Sequence, residues 1–359
     1  MLSKNKIIVF IFIMLMFSFI SCGSYAKKDK KNVAHTTAER QISDIAGVTL
    51  SIPSEVNKIV CRSGNGTSFL IAMGYSDKLS GTADYVVTNP WGEIFCPGIT
   101  SLPSFKWAPS AEELYATKTD LVMLPDPDVA ASLRKVGLNA ICYKQYNEQE
   151  IIDSAKLMGV ILDNESYPKK WITYYNDISQ YIDKKLSSVD INSRPLVYYI
   201  YGHSNKGVGR TAGGGSIENY WIEASGGKFI TADLPNDGPK ITKEEVIARN
   251  PDVIFIGGIY AESLMNELMT NVIYQKMPAV SNKRIYRIPI GCIPWDQYGV
   301  EFPLLKLWVA KCLYPDLINK DLHKETKKFY KDFYNKNLSD NEINYILNGL
   351  TPTGTSFGK

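Results

Sequence analysis

Short apolar runs alternate with amphipathic segments along most of the chain. Residues 121–124, 196–201 and 253–256 are apolar or aromatic throughout and are bounded by polar or turn residues, a pattern typical of strands buried on both faces in a parallel sheet. Between such runs, apolar residues recur three and four positions apart, as on one face of a helix. This alternation predicts an α/β fold with parallel central sheets.

A stretch of fifteen residues occurs twice. Residues 110–124 (SAEELYATKTDLVML) and 242–256 (TKEEVIARNPDVIFI) align without a gap at an offset of 132. The identical pairs are Glu112/Glu244, Glu113/Glu245, Ala116/Ala248 and Asp120/Asp252. Each copy begins with a helix N-cap residue and two acids in the first turn, then continues into an apolar strand. The repeat predicts two similar Rossmann-like lobes with a ligand cleft between them.

A longer amphipathic segment separates the two copies. From Trp171 to Val189 its apolar residues recur at intervals of three or four, which predicts one long helix. We therefore expect an N-terminal α/β lobe at residues 41–166, a linking helix at 167–192, a C-terminal α/β lobe at 193–340 and a C-terminal tail at 341–359.

The start of the chain has the features of an export signal. Lys4 and Lys6 precede an apolar run at residues 7–17, and Cys22 follows a serine; this predicts a signal peptide at residues 1–21. The run is shorter than the roughly 20 residues of a membrane-spanning helix. Cys22 after a small residue resembles a bacterial lipoprotein signal and predicts a lipid anchor on Cys22, although Phe19-Ile20 departs from that motif and leaves a plain secretory signal or an uncleaved anchor as alternatives.

The lysine-rich residues after Cys22 predict a flexible tether at residues 22–40, because they hold too few apolar groups to fold. We thus expect an exported protein, lipid-anchored to the bacterial membrane.

Composition and charge exclude several classes of function. The chain has 40 Lys and Arg against 37 Asp and Glu, without the basic stripe of a nucleic-acid binder. With Cys22 lipidated, five cysteines remain, an odd number without metal-type spacing, and only three histidines are present. No intrinsic cofactor or protein-built metal site is predicted.

The glycine-rich loop at residues 207–215 invites a nucleotide-binding interpretation. The G-x-G-x-x-G pattern fails because Ala212 occupies the third glycine position, and no Gly-Lys-Ser/Thr follows. We expect instead a mobile loop that presents backbone donors to the cleft. His203 beside this loop, and the carboxylates Asp126 and Asp128, could support an enzyme, but His203 has no evident serine or cysteine partner in the sequence. No enzymatic activity is predicted.

Several segments in order resemble the substrate-binding lipoproteins of ABC importers, in the branch whose two lobes are joined by one long helix. The resemblance covers about residues 40–335 and rests on residues 42–61, residues 213–234, both repeat copies and residues 302–317. It implies a monomer that captures a metal chelate, foremost a ferric-siderophore-type iron complex, and delivers it to a permease dimer with its ATPase subunits. Haem, cobalamin or an oxyanion such as molybdate or tungstate are alternative ligands, and a surface-anchored enzyme or adhesive lipoprotein is a remote alternative.

Ligands of open α/β sheets bind beyond the carboxyl ends of the strands. The predicted ligand-binding residues at these ends are Arg62, Ser63, Asn65, Tyr85, Trp91, Trp107 and Asp126 in the first lobe, and Tyr201, His203, Arg210, Tyr260, Trp295, Gln297 and Tyr298 in the second. Their aromatic rings suit a flat chelate. If Arg62 and Arg210 both face the cleft, the ligand is an anion. Alternatively, a tyrosine ligates haem iron, and the sequence does not indicate which tyrosine.

The resemblance also implies that Glu112 and Glu244 dock the two subunits of the permease, one glutamate from each lobe. The structural alternative is that both acids only stabilise the start of their own helix.

Overall fold

The computed structural model describes residues 38–202, 207–236 and 238–357. The predicted signal peptide and Cys22 lie outside these residues. In the described part, no helix is long and apolar enough to cross a membrane.

The strands of the described chain form one small antiparallel sheet and two parallel sheets. They are β1 Glu39–Ser43, β2 Thr49–Pro53, β3 Ile59–Cys61, β4 Leu79–Ala83, β5 Ser104–Phe105, β6 Leu121–Leu124, β7 Ala140–Cys142, β8 Leu196–Tyr201, β9 Lys228–Phe229, β10 Val253–Gly257 and β11 Ile285–Arg287.

The helices cover the faces of the two parallel sheets and connect them. They are α1 Gly64–Ala72, α2 Asp84–Val87, α3 Gly92–Phe95, α4 Ala111–Ala116, α5 Pro127–Lys135, α6 Glu148–Ile161, α7 Ser166–Leu186, α8 Ile217–Ala224, α9 Lys243–Arg249, α10 Ala261–Thr270, α11 Pro278–Ser281, α12 Phe302–Leu313, α13 Leu322–Tyr334 and α14 Asp340–Leu347.

The two parallel sheets share one topology. The first has the order β5-β4-β3-β6-β7, and the second, read in the matching direction, has the order β9-β8-β10-β11. The repeated strands β6 and β10 therefore occupy equivalent central positions, and the first sheet has β5 as an extra edge strand. The predicted two-lobe α/β fold is confirmed.

Helix α7 links the two sheets and spans 21 residues without a break. Its buried side chains include Trp171, Tyr175, Ile178, Ile182 and Leu186, the face that the apolar periodicity predicts. Pro168 stands in the first turn, where its missing N–H removes no helical hydrogen bond.

Two segments at the ends of the fold differ from the sequence prediction. Glu39 and Arg40, placed in the tether, belong to β1, which pairs with β2 and buries Ile42. Arg40 also forms an ion pair with Asp163, with 2.6 Å between Nη1 and Oδ1. The tail at residues 341–359 includes most of α14, whose Ile343 is buried in the main core. Strand pairing fixes the first segment and burial in the core fixes the second. Neither contact is visible in the local sequence.

Candidate ligand-binding cleft

A cleft of about 1110 Å³ opens between the carboxyl ends of the two parallel sheets. Nine of the predicted residues line it: Arg62, Ser63, Asn65, Tyr85, Trp107, Tyr201, Arg210, Gln297 and Tyr298. They follow β3, β4 and β8 or lie in loops beside these strand ends, because parallel strands direct their carboxyl ends to one edge of each sheet. His203 lies outside the described residues.

The tryptophans Trp91 and Trp295 do not reach the cleft. Both are completely buried. The indole nitrogen of Trp91 donates to the Leu350 carbonyl oxygen at 2.8 Å, and that of Trp295 donates to the Tyr330 hydroxyl at 3.2 Å. A tryptophan whose N–H has a partner in the interior is a core residue, so their prediction as ligand-binding residues is wrong.

Asp126 and Tyr260 are also absent from the lining, although their neighbours Pro125 and Ile259 are part of it. The Asp126 carboxylate accepts from the backbone N–H groups of Asp128 and Val129 at 2.9 and 3.1 Å and so caps α5. Tyr260 stands at the start of α10. Both residues therefore occupy N-cap positions, where the chain enters a helix.

The glycine-rich loop is held by close backbone packing. A Cβ on Gly209 would lie 2.0 Å from the Ile241 carbonyl oxygen, and one on Gly213 would lie 2.1 Å from that of Pro235. A side chain would clash at either position. The glycines therefore let the loop pack against the backbone of Ala232, Pro235 and Ile241, and the expectation of a mobile loop of backbone donors is replaced by this packing role.

Arg62 is the central charge on the first-lobe side. Its side chain is buried, its Nε donates to the Lys106 carbonyl oxygen, and its guanidinium lies over the rings of Trp107 and Tyr85 at 5.6 and 5.9 Å. Within the part of the chain that the structure describes, Arg62 forms no ion pair. Arg210, half-buried on the second-lobe side, lines the same cleft.

A cluster of polar side chains in the cleft joins Asn65, Tyr298 and Glu218. The Asn65 amide nitrogen donates to the Tyr298 carbonyl oxygen, and the Tyr298 hydroxyl donates to the Glu218 carboxylate. Tyr298 has a φ of +59°, a strained conformation for a bulky residue. Burial, with a smaller contribution from Asp296, raises the pKa of Glu218.

Glu218 and Tyr146 line the cleft but were missed as site residues from the sequence. Glu218 lies in the first turn of α8, and the glycine-rich loop separates this helix from the end of β8, so a rule that looks only near strand ends does not reach it. Tyr146 lies a few residues beyond β7, and the same strand-end rule extended to β7 would have found it.

Burial favours the protonated phenol form of the cleft tyrosines. Burial raises the pKa of Tyr85, of Tyr201 and of Tyr298 above the ordinary tyrosine value. Across residues 38–202, 207–236 and 238–357, no group of three or more His, Cys, Asp or Glu side chains could hold a metal ion.

The helices of the repeat begin as the sequence predicts. Ser110 forms a capping box with Glu113, and Thr242 accepts from the Glu245 backbone N–H at 3.1 Å. Glu245 also pairs with Arg249. Glu112 and Glu244 are exposed, and within the described residues neither forms an ion pair or a side-chain hydrogen bond.

Comparison with known proteins identifies the class. Residues 59–290, more than half of the chain, match the family model described as "Periplasmic binding protein", so the chain belongs to this family. No curated protein sequence matches. The protein is a solute-binding component of an ABC transporter that acts outside the cytoplasm, rather than an enzyme.

Solved structures share the two-lobe fold. A periplasmic solute-binding protein from Veillonella parvula is 27% identical, with a TM-score of 0.74 over 88% of this chain and 99% of that one. CeuE of Helicobacter pylori, in a Ni-His complex, is 18% identical, with a TM-score of 0.72 over 86% and 98%. The molybdate-bound protein MolA of Haemophilus influenzae is 16% identical, with a TM-score of 0.73 over 84% and 99%.

Proposed function

We propose that the protein captures an anionic metal chelate, a ferric-siderophore-type iron complex, in this cleft and delivers it to an ABC permease dimer with its ATPase subunits. The observation that carries the proposal is Arg62, a buried guanidinium that faces the cleft and forms no ion pair with any described residue. A buried charge without a counter-charge is costly. An anionic ligand would supply that counter-charge.

Arg210 reinforces this argument from the other lobe, because it lines the same cleft. An anion held between the two lobes would contact both guanidinium groups, which form strong charge-assisted hydrogen bonds with oxygen anions. The two arginines alone would suit either an oxyanion or an anionic chelate.

Size and aromatic lining favour the chelate. A volume of about 1110 Å³ is that of a site for an organic ligand and is much larger than a single molybdate requires. Tyr85, Trp107, Tyr146, Tyr201 and Tyr298 supply the aromatic surface.

Native mass spectrometry with metal analysis on protein purified from its own organism tests the ligand class. We expect an iron-bearing organic adduct. Arg62→Met should weaken binding of this adduct by roughly 10- to 100-fold, as expected for loss of a charge-assisted hydrogen bond. Arg194→Met, at a half-buried arginine outside the cleft, is the matched control and should bind normally. A molybdenum adduct or equal affinities in the two variants would contradict the proposal.

We also propose that the protein is exported and lipid-anchored through Cys22, because residues 1–21 have the pattern of a signal peptide. Cells grown with an alkyne-labelled fatty acid should label the wild-type protein and leave Cys22→Ser unlabelled. Cys312→Ser serves as the control, because Cys312 lies in the described fold. Equal labelling of wild type and Cys22→Ser would exclude Cys22 as the anchor.

A further inference from the structure

We infer that a buried cluster of four side chains, here called the inter-lobe clamp, holds the two lobes at a fixed separation and so sets the width of the cleft. Its members come from four helices: Glu148 from α6 of the first lobe, Tyr175 from the linking helix α7, and Tyr220 and Lys306 from α8 and α12 of the second lobe. The inference does not depend on the identity of the ligand.

Lys306 is the centre of the clamp. Its side chain is 2% exposed, and its Nζ donates to the hydroxyls of Tyr175, Ser179 and Tyr220 at 3.1, 2.7 and 3.2 Å. An ammonium has three N–H donors, so these contacts use all of them. The ring centroids of Tyr175 and Tyr220 lie 4.6 and 5.3 Å from Nζ, which further favours the cation. Among the described residues no carboxylate contacts this ammonium directly.

Tyr175 connects Lys306 to the first lobe. Its hydroxyl accepts from Lys306, donates to the Glu148 carboxylate, and lies 2.9 Å from the Tyr220 hydroxyl. The hydroxyl of Tyr175 thus bridges a cation of the second lobe and an anion of the first. A buried polar network whose members all have partners is rigid, so these contacts hold α6 and α8 at one separation.

The clamp adjoins a wall of the cleft on each lobe. Tyr146 lines the cleft and precedes Glu148 by two positions, and Glu218 lines the cleft and precedes Tyr220 by two positions. None of the four clamp side chains belongs to the described lining. The clamp residues are therefore positioning residues, which act on a ligand by holding the walls of the cleft.

A second set of contacts joins the lobes through residues 291–300. The Asn89 amide donates to the Cys292 carbonyl oxygen at 2.7 Å, and the Val300 N–H donates to the Ser68 hydroxyl at 3.1 Å. Two lobes that touch at one place can rotate about that contact, as in a hinge, whereas contacts at two separate places fix the angle between them. The clamp therefore prevents rotation about residues 291–300.

Double electron–electron resonance of the ligand-free protein tests the inference. An unnatural amino acid carries one spin label at Val136 of the first lobe and one at Val272 of the second, both exposed positions. The wild type should give one narrow distribution of distances. Lys306→Met, which removes all three donors, should broaden this distribution by several ångströms because the lobes can then rotate. Tyr220→Phe, which keeps the ring and loses the hydroxyl, should broaden it to a smaller extent.

Leu268→Ala is the control for a loss of stability alone. Leu268 is fully buried in a core cluster of the second lobe that contains no clamp residue, so this variant should keep the wild-type distribution. Unchanged distributions in both Lys306→Met and Tyr220→Phe, or an equal broadening in Leu268→Ala, would overturn the inference. If Lys306→Met does not fold, Tyr220→Phe decides the outcome by itself. Because the measurement contains no ligand, a negative result would leave the proposed function intact.

Discussion

Asp252 makes in the second lobe the contact that Asp120 makes in the first. The Asp120 carboxylate accepts from the backbone N–H groups of Asn57 and Lys58, both at 2.8 Å, just before β3. The Asp252 carboxylate accepts from the Leu196 N–H at 2.8 Å, at the start of β8. In each lobe the repeated aspartate thus fixes the start of a central strand to its neighbour, which explains why an aspartate occurs at this position in both copies.

Removal of these carboxylates should destabilise the fold. Asp120→Ala should lower the free energy of unfolding by about 1–3 kcal/mol, because two backbone N–H groups lose a charged acceptor. Asp252→Ala should cost less, since it loses one such bond, and the two effects should add because the sites are far apart. Urea denaturation of the two single variants and of the Asp120→Ala/Asp252→Ala double variant measures these effects. Asp316→Ala, at an exposed position, should stay within about 0.5 kcal/mol of the wild-type stability. If Asp316→Ala lost as much stability as Asp120→Ala, the carboxylates of Asp120 and Asp252 would have no specific stabilising role.

The tryptophans Trp107 and Trp295 should behave differently from each other. Trp107 is 51% exposed and stacks with Arg62, whereas Trp295 is fully buried. Trp295→Ala should lose about 3–5 kcal/mol of stability through the cavity it creates. Trp107→Ala should keep its stability and bind the ligand more weakly. Thermal denaturation and calorimetric titration separate the two effects, and a destabilised Trp107→Ala would place that ring in the core.

The exposed glutamates of the repeat should matter for transport and not for ligand binding. Glu112→Lys combined with Glu244→Lys should abolish uptake in cells, because rim charges orient and register a docking partner. Ligand affinity of the purified double variant should stay within a few-fold of wild type. The double variant Glu55→Lys with Glu223→Lys changes one exposed glutamate on each lobe and should transport normally. Full uptake by the Glu112/Glu244 variant would exclude docking through these residues.

Stability should depend on pH through Glu301. This side chain is fully buried and accepts from the Tyr334 hydroxyl at 2.8 Å and the Cys292 N–H at 2.9 Å. Burial raises its pKa from 4.5 to about 7. Since the folded state then binds the proton more tightly than the unfolded state, this contribution is present below pH 4.5 and is lost as the pH rises to about 7, on the order of 3 kcal/mol.

Glu301→Gln removes the titrating group at nearly constant volume. Denaturant unfolding from pH 4.5 to 8 should therefore show wild type losing stability relative to Glu301→Gln as the pH rises. Glu55→Gln, at an exposed site, should follow wild type throughout. A constant difference between wild type and Glu301→Gln would show that Glu301 does not titrate in this range.

Ligand binding should produce little closure of the two lobes. Helix α7 bends only at appreciable cost because its interior contains neither proline nor glycine after the first turn. Lys306 of α12 reinforces it by donating to Ser179 at 2.7 Å, and the Trp171 indole donates to the Val300 carbonyl at 2.8 Å. Small-angle scattering with and without ligand should give nearly the same radius of gyration, and a contraction of several ångströms would contradict the rigid connection.

The sequence by itself determined the parts of this protein that depend on local pattern. The repeat predicted two lobes with equivalent central strands, the periodicity from Trp171 to Leu186 predicted the buried face of α7, and Ser110 and Thr242 marked the starts of α4 and α9. Strand ends also located nine residues of the cleft. These features follow from side-chain periodicity, capping and the common direction of parallel strands, all of which are written in consecutive residues.

Only the tertiary structure decided which polar and aromatic side chains face the cleft. The sequence predicts both Trp107 and Trp295 as ligand-binding residues. In the structure Trp107 is exposed at the cleft, whereas Trp295 is buried and donates to Tyr330 in the core. Glu218 reaches the cleft from a helix, and its contact with Tyr298 joins residues 80 positions apart. The burial of a side chain and its hydrogen-bond partners depend on packing between segments that are distant in the sequence. The same packing determines which charged side chains line the cleft.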